Sequence, residues 1–149
     1  KLILYSLIIK IKMKKKLNVL LIEDNLIEIM KMKRTISFLK LNHKLQEAKN
    51  GEEALEILKD KNNFPDIILL DLNMPKISGI EFLSIMKENE DLRHIPVIIL
   101  TTSDNKKDLT ECFKIGVSGY ILKPLKYDDY VFKIEKVLSY WSLNELKKD

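Results

Sequence analysis

"IILLDLNMPKISG", residues 67–79, decides the fold. Ile67, Ile68, Leu69 and Leu70 form a short apolar run bounded by Pro65 before it and by Pro75 and Gly79 after it. Such a run predicts a strand buried on both faces, as in parallel sheets. It ends on an acid, Asp71. In an open parallel sheet, ligands bind at the carboxyl ends of the strands. Asp71 has no helix to cap at residue 72, because Pro75 disfavours a helical Met74 and Gly79 lies in the same loop. A functional role accounts for its position better than capping does.

The flanking segments repeat the alternation of strand and helix. "LNVLLI" (17–22) reads as the first strand, and a helix follows to about residue 40 with Ile29, Met32, Ile36 and Leu39 at helical spacing. "HKLQEA" (43–48) is the second strand, and "GEEALEILKD" (51–60) a helix buried through Ala54, Leu55 and Leu58. After the third strand, 66–70, a helix runs from about 79 to 88. "PVIILT" (96–101) is the fourth strand, and the helix behind it is expected to bury Leu109, Cys112 and Phe113 before Gly116 ends it. "GYIL" (119–122) is the fifth strand, and Tyr130, Ile134, Val137, Leu138 and Trp141 mark a last amphipathic helix. This is an α/β chain of five βα units. Right-handed crossovers then predict a doubly wound parallel sheet of flavodoxin-like order 2-1-3-4-5, with its switch point beside strands 1 and 3.

Polar residues at the carboxyl ends of these strands fall together on one edge of the sheet: Glu23 and Asp24 after strand 1, Asp71 after strand 3, Thr101 at the end of strand 4 and Lys123 after strand 5. Three acids so close repel one another unless a cation lies between them. Oxygen ligands without His or Cys select a hard ion such as Mg²⁺. Magnesium keeps several waters and shares its sphere with phosphate, so few protein ligands suffice. Lys123 adds a fixed positive charge and Thr101 a hydroxyl, both suited to phosphoryl oxygens.

Composition bounds the rest. At 149 residues and 46% hydrophobic content, one core and one domain are expected, with no room for a helix-turn-helix output module. The net charge of +4 comes from the amino terminus, where Lys1, Lys10, Lys12, Lys14, Lys15 and Lys16 stand without an acid among them. The remainder holds 20 basic and 22 acidic residues, so no basic face for nucleic acid is indicated on the folded body. Cys112 is the single cysteine, which excludes an intrachain disulfide and allows a reducing, cytoplasmic setting. The apolar run Leu2 to Ile9 is far shorter than the roughly 20 residues that span a bilayer. Lysines stand where a signal peptide would place its small-residue cleavage site. Residues 1–16 are expected to be a basic and apolar tail outside the core, with Met13 a natural start. An ordered extra element and membrane-surface contact are the alternatives. The core domain is then 17–141, and 142–149 a carboxyl-terminal tail.

The segments "LLIEDN", "DIILLDLNMPKISGIEFL", "IPVIILTTS" and "GVSGYILKP" stand in an order and spacing that resemble the receiver domain of bacterial two-component response regulators, the CheY-like phosphorelay family. The resemblance spans residues 17 to about 140. It implies that Asp71 is the phosphoacceptor, taking a phosphoryl group from a phosphohistidine on a sensor histidine kinase or a histidine phosphotransfer protein. It implies that Asp24, Asp71 and the backbone carbonyl of Asn73 bind Mg²⁺, and that Glu23 orients a metal-bound water. Thr101 and Tyr120 match the family's switch pair, and Lys123 its phosphate-binding lysine, which the family places before a cis Pro124. Asn73 and Ser103, two residues past Asp71 and Thr101, are expected to flank the path of a hydrolytic water and so to tune dephosphorylation. "ILTTS" and "VLSYWSLNELKKD" resemble small stand-alone receivers that partner phytochrome-type and other hybrid kinases.

Each residue also has a plainer reading. Asp24 could cap a helix, Thr101 could be an ordinary strand-end threonine, and Tyr120 could be packing. His43 and His94 lie in no ligand spacing and are expected at the surface; Cys112 is expected to be an inert core thiol. Among function classes, a phosphorylation-controlled interaction module leads, a signalling switch rather than an enzyme acting on an external substrate. A Mg²⁺-dependent phosphohydrolase would place its nucleophile at the end of strand 1 with a second acid two residues on, where Asn25 and Leu26 follow Asp24. A DNA-binding regulator is disfavoured by length and by the slightly acidic body. Tyr127, Val131, Phe132 and Tyr140 fall off the core stripe of the last helix, which predicts an interaction surface on the fourth helix, fifth strand and fifth helix, with a homodimer as its economical use.

Overall fold

The computed structural model describes residues 1–12 and 15–147. Five parallel strands, β1 (Asn18–Ile22), β2 (Lys44–Ala48), β3 (Ile67–Leu70), β4 (Val97–Thr101) and β5 (Gly119–Leu122), form one sheet in the order β2-β1-β3-β4-β5. Six α-helices accompany them: α1 (Leu2–Lys12), α2 (Leu26–Phe38), α3 (Gly51–Ile57), α4 (Gly79–Glu88), α5 (Lys106–Ile115) and α6 (Tyr127–Ser142). The strand order and the five βα units are those expected. The amino-terminal α1 shifts the count, so the fourth and fifth helices of the βα units are α5 and α6.

The strands alternate their side chains between two apolar layers. Leu20, Ile22, Ile68, Leu70, Val97 and Ile99 pack with Ala54, Phe82, Leu83, Met86 and Cys112 of α3, α4 and α5. Val19, Leu21, Ile67, Leu69, Ile98 and Leu100 pack with Ile29, Met32 and Ile36 of α2 and with Tyr130, Ile134 and Leu138 of α6. β3 lies at the centre and is fully buried, which is why its sequence is an unbroken apolar run. The register pairs Ile22 with Leu70, Leu70 with Ile99 and Thr101 with Leu122, so β1 and β3 end level with each other while β4 and β5 run two residues further.

Two details of the helices depart from the sequence reading. α3 stops at Ile57, because the N–H groups of Lys59 and Asp60 turn to carbonyls three residues back and a 3₁₀ turn, Lys61–Asn63, follows. On α5 only Cys112 is buried; Leu109 is 37% and Phe113 54% exposed, so α5 meets the sheet through a narrower stripe than its apolar spacing suggested. Leu2, Ile3, Leu4, Tyr5, Leu7 and Ile8 of α1 are exposed and belong to neither apolar layer. At the other end, Leu146 packs against the α2/α6 layer. Among the described residues, no helix is long and apolar enough to cross a membrane.

Candidate functional site

The carboxyl ends of β1 and β3 deliver three acids to one place. The N–H of Glu23 donates to Ala48 at 2.9 Å and that of Asp71 donates to Ile22 at 3.1 Å, so each acid is fixed by the sheet's own ladder one residue beyond its strand. A carboxylate oxygen from each of Glu23, Asp24 and Asp71 lies within 4.8 Å of the others. Glu23 and Asp71 are buried and Asp24 is exposed.

Asn25, not Asp24, caps α2. Its Oδ1 accepts the N–H groups of Ile27 at 2.9 Å and Glu28 at 3.3 Å. The capping alternative for Asp24 thereby loses its basis, and the Asp24 carboxylate remains with the cluster. Below the acids the chain is held by Gly79, where a Cβ would stand 2.6 Å from the Asp71 carbonyl oxygen and 2.7 Å from the Leu72 Cα. Only glycine admits that approach of α4 to the loop carrying Asp71. Asn73 is exposed in this loop.

Lys123 joins the cluster from β5. Its backbone N–H donates to the Thr101 carbonyl at 2.8 Å, extending the β4/β5 ladder by one residue. Its Nζ donates to Glu23 Oε1 at 2.5 Å and lies 3.6 Å from Glu28 Oε2, with its side chain only 7% exposed. The Lys123–Pro124 peptide is trans, contrary to the expected cis bond; the ammonium reaches the acids from the trans backbone. Burial works against the Lys123 charge, but the bond and charge of Glu23, with Asp71 and Glu28, outweigh it and raise the lysine above its ordinary pKa. For Glu23, burial dominates and lifts the carboxyl to about 7, opposed by Lys123 and reinforced by Asp71. One ammonium does not fully compensate this group of acids.

That shortfall, with an oxygen-only donor set and no His or Cys, fits a hard divalent cation. Asp24 and Asp71 would ligate it, and Glu23 stands beside them.

Thr101 is fully buried at the end of β4, and its Oγ1 accepts the N–H of Ser103 at 3.3 Å. The Tyr120 hydroxyl donates to the Ser103 carbonyl at 2.8 Å, and Ser103 Oγ donates to Asp108 Oδ2 at 2.8 Å. Thr101, Ser103 and Tyr120 thus form a bonded group running from the sheet edge to α5. Two residues escaped the sequence reading. Glu28 is an acid in the first turn of α2, and nothing local in the sequence signals its approach to Lys123. His43 was placed at the surface, but it is half-buried and its Nδ1 accepts the Leu17 N–H at 3.0 Å. His94 is half-buried with its ring tilted against Phe64, at a 260 Å³ cavity on the sheet's opposite edge that includes no residue of the acid cluster.

Residues 19–135 match the response regulator receiver domain. The chain is 35% identical over 127 residues to the probable methanogenesis regulatory protein FilR2 of Methanothrix harundinacea, covering 83% of this chain and 82% of that one. It is 31% identical over 128 residues to response regulator Rcp1 of Synechocystis sp., covering 83% and 87%. Among solved structures it resembles the phosphorylated cyanobacterial phytochrome response regulator RcpA, with a TM-score of 0.82 at 29% identity over 88% of this chain and 98% of that one. It resembles the Mn²⁺-bound form of Rcp1 with a TM-score of 0.80 at 31% identity over 88% and 99%.

Proposed function

The chain belongs to the response regulator receiver family, and on that premise we propose that it is a phosphorylation-controlled switch whose acceptor is Asp71. The observation that carries this reading is the gathering of the Glu23, Asp24 and Asp71 carboxylates within 4.8 Å beside the buried ammonium of Lys123. An Asp71 oxygen attacks phosphorus; the O–P bond forms as the P–N bond to the donor imidazole breaks, and the electron pair leaves with that nitrogen. Mg²⁺, when bound, offsets carboxylate charge and polarises the phosphoryl oxygens. Asp24 and Asp71, with the Asn73 carbonyl, would hold it, and Glu23 beside them would orient a water. Lys123 neutralises the equatorial oxygens of the phosphoryl group, and the Thr101 hydroxyl bonds one of them. The donor is a phosphohistidine on a sensor kinase or a histidine phosphotransfer protein, and the exchange belongs to the cytoplasm.

The Thr101–Ser103–Tyr120 group supports a path from the acceptor to the face formed by α5, β5 and α6. That face exposes Leu109, Phe113, Leu122, Phe132 and Tyr140. It also carries acids on α5, Asp108 and Glu111, and bases on α6, Lys133 and Lys136. A face bearing both signs complements itself across a two-fold axis, so its occupant is a second copy of the chain. The phosphohydrolase reading is not favoured, since Asn25 is committed to capping α2 and Leu26 stands where a second acid is required.

Acetyl phosphate with Mg²⁺ should label the protein once, on Asp71, located by borohydride trapping and mass spectrometry. Chelation of the metal should abolish labelling. An Asp71→Asn variant that labels as well as the parent overturns the assignment.

A further inference from the structure

Lys123 has two carboxylates within reach, and the second has no other partner at the bonding atom. Glu28 Oε2 is buried, accepts no hydrogen bond and lies 3.6 Å from the Lys123 ammonium, while Glu23 Oε1 holds that ammonium at 2.5 Å. Glu28 itself is fixed in the first turn of α2 by its N–H to Asn25 Oδ1, so its side chain is delivered from a rigid element. Its other oxygen lies 4.0 Å from Lys31, whose ammonium sits over the Tyr130 ring at 4.2 Å.

This arrangement bears on what happens when a cation comes to the acids. The ammonium and the incoming ion compete for Glu23. A lysine 7% exposed cannot be left without a counter-charge at low cost, because an unpaired buried charge is strongly unfavourable. We infer that Glu28 is a positioning residue that receives the Lys123 ammonium when Glu23 turns to the metal, so that the lysine stays paired and charged inside the site. The inference rests on the metal-binding reading above and adds a residue to it. Glu28 is not one of the three clustered acids; it acts through Lys123.

The test measures Mg²⁺ binding by calorimetry on the intact, unphosphorylated chain, with the metal alone as probe. Glu28→Gln should weaken binding by about 10-fold, the low end of what loss of an outer carboxylate costs a metal site. The same substitution in a Lys123→Met background should change binding by less than about 2-fold, because the group through which Glu28 acts is gone. Thermal melting of each variant checks folding. A loss equal in both backgrounds shows that Glu28 acts on the ion directly through its charge and overturns the inference, as does unchanged binding in Glu28→Gln alone. A parent chain that takes up no Mg²⁺ is a distinct result, which overturns the metal-site reading and this inference with it.

Discussion

The hydroxyl of Tyr120 donates to the backbone carbonyl of Ser103 at 2.8 Å. The N–H of the same Ser103 donates to Thr101 Oγ1 at 3.3 Å, and its hydroxyl is bound to Asp108 on α5. Both residues of the proposed switch pair are therefore tied to one backbone segment. A Thr101 hydroxyl drawn toward a phosphoryl group on Asp71 changes what Ser103 N–H can bond, and Ser103 in turn holds the Tyr120 ring. Under the proposed switch, this shared segment is the physical connection between the acceptor and Tyr120.

Tyr120→Phe removes one end of this connection and leaves the acids untouched. A neutral hydrogen bond of this kind contributes about 0.5–1.5 kcal/mol, so urea denaturation should show a loss in that range. Labelling of Asp71 by acetyl phosphate should persist at the parental rate. A variant that loses labelling places Tyr120 in the chemistry rather than in the readout.

Phosphoryl lifetime should respond to the two positions that follow the acceptor and Thr101. Asn73 is exposed in the loop after β3, so Asn73→Ala should leave the stability within about 0.5 kcal/mol while altering the half-life of the labelled protein. Ser103→Ala removes the bond to Asp108 and should alter it as well. Parental half-lives in both variants would move the path of the hydrolytic water elsewhere.

Gly79→Ala tests how α4 supports the acceptor. The added Cβ would press on the Asp71 carbonyl and the Leu72 Cα, backbone atoms that have no side-chain freedom to yield. Overpacking of this kind costs roughly 1–3 kcal/mol, and any relief displaces the loop that carries Asp71. Denaturation midpoint and labelling rate should fall together. Gly51→Ala meets the Ile77 side chain at 3.1 Å, which is less constrained, and should cost less.

What could be read from the sequence follows the physics of each element. β3 announced itself because a central parallel strand is apolar on both faces, and its closing Asp71 had no local role. The acids, Thr101 and Lys123 were legible because the strand ends carry them. The exposed Leu109 and Phe113 were misjudged because helical spacing gives a stripe but not how much of it the sheet covers. Glu28 was missed because its partner lies 95 residues away, and a first-turn acid already satisfies the helix dipole. His43 was missed because a single ring accepting a backbone N–H leaves no pattern.

His43 gives the fold a pH dependence of known sign. Burial lowers its pKa below the ordinary 6.5, and its Nδ1 must be unprotonated to accept the Leu17 N–H. The unfolded chain therefore takes up this proton first as pH falls. Stability from His43 is fully present above about 6.5 and is lost as pH falls through the folded-state value. Urea midpoints measured at pH 7.5 and 5.5 should fall further for the parent than for His43→Gln, which has no proton to take up. Equal falls would remove His43 as the cause.

The exposed face of α5, β5 and α6 supplies the last expectation. Phe113 is 54%, Phe132 61% and Leu122 39% exposed, an apolar extent that a solvated surface does not need. Tyr120 lies on β5 within this face, and its hydroxyl is held by Ser103, the link through which the proposed switch connects Asp71 to the face. A coupling of this type is typically worth about 1–3 kcal/mol, or roughly 5- to 150-fold in an association constant. Analytical ultracentrifugation should therefore show a dimer that tightens by that factor when Mg²⁺ and beryllofluoride, a mimic of the phosphoryl group, are added. Phe132→Ser should weaken the dimer in both states, because it removes area from the contact itself. Tyr120→Phe should leave the unliganded association constant close to parental and reduce the response to beryllofluoride, because it removes the link and not the surface. A monomer with and without the ligand, or a dimer indifferent to it, would assign this face to a different protein partner.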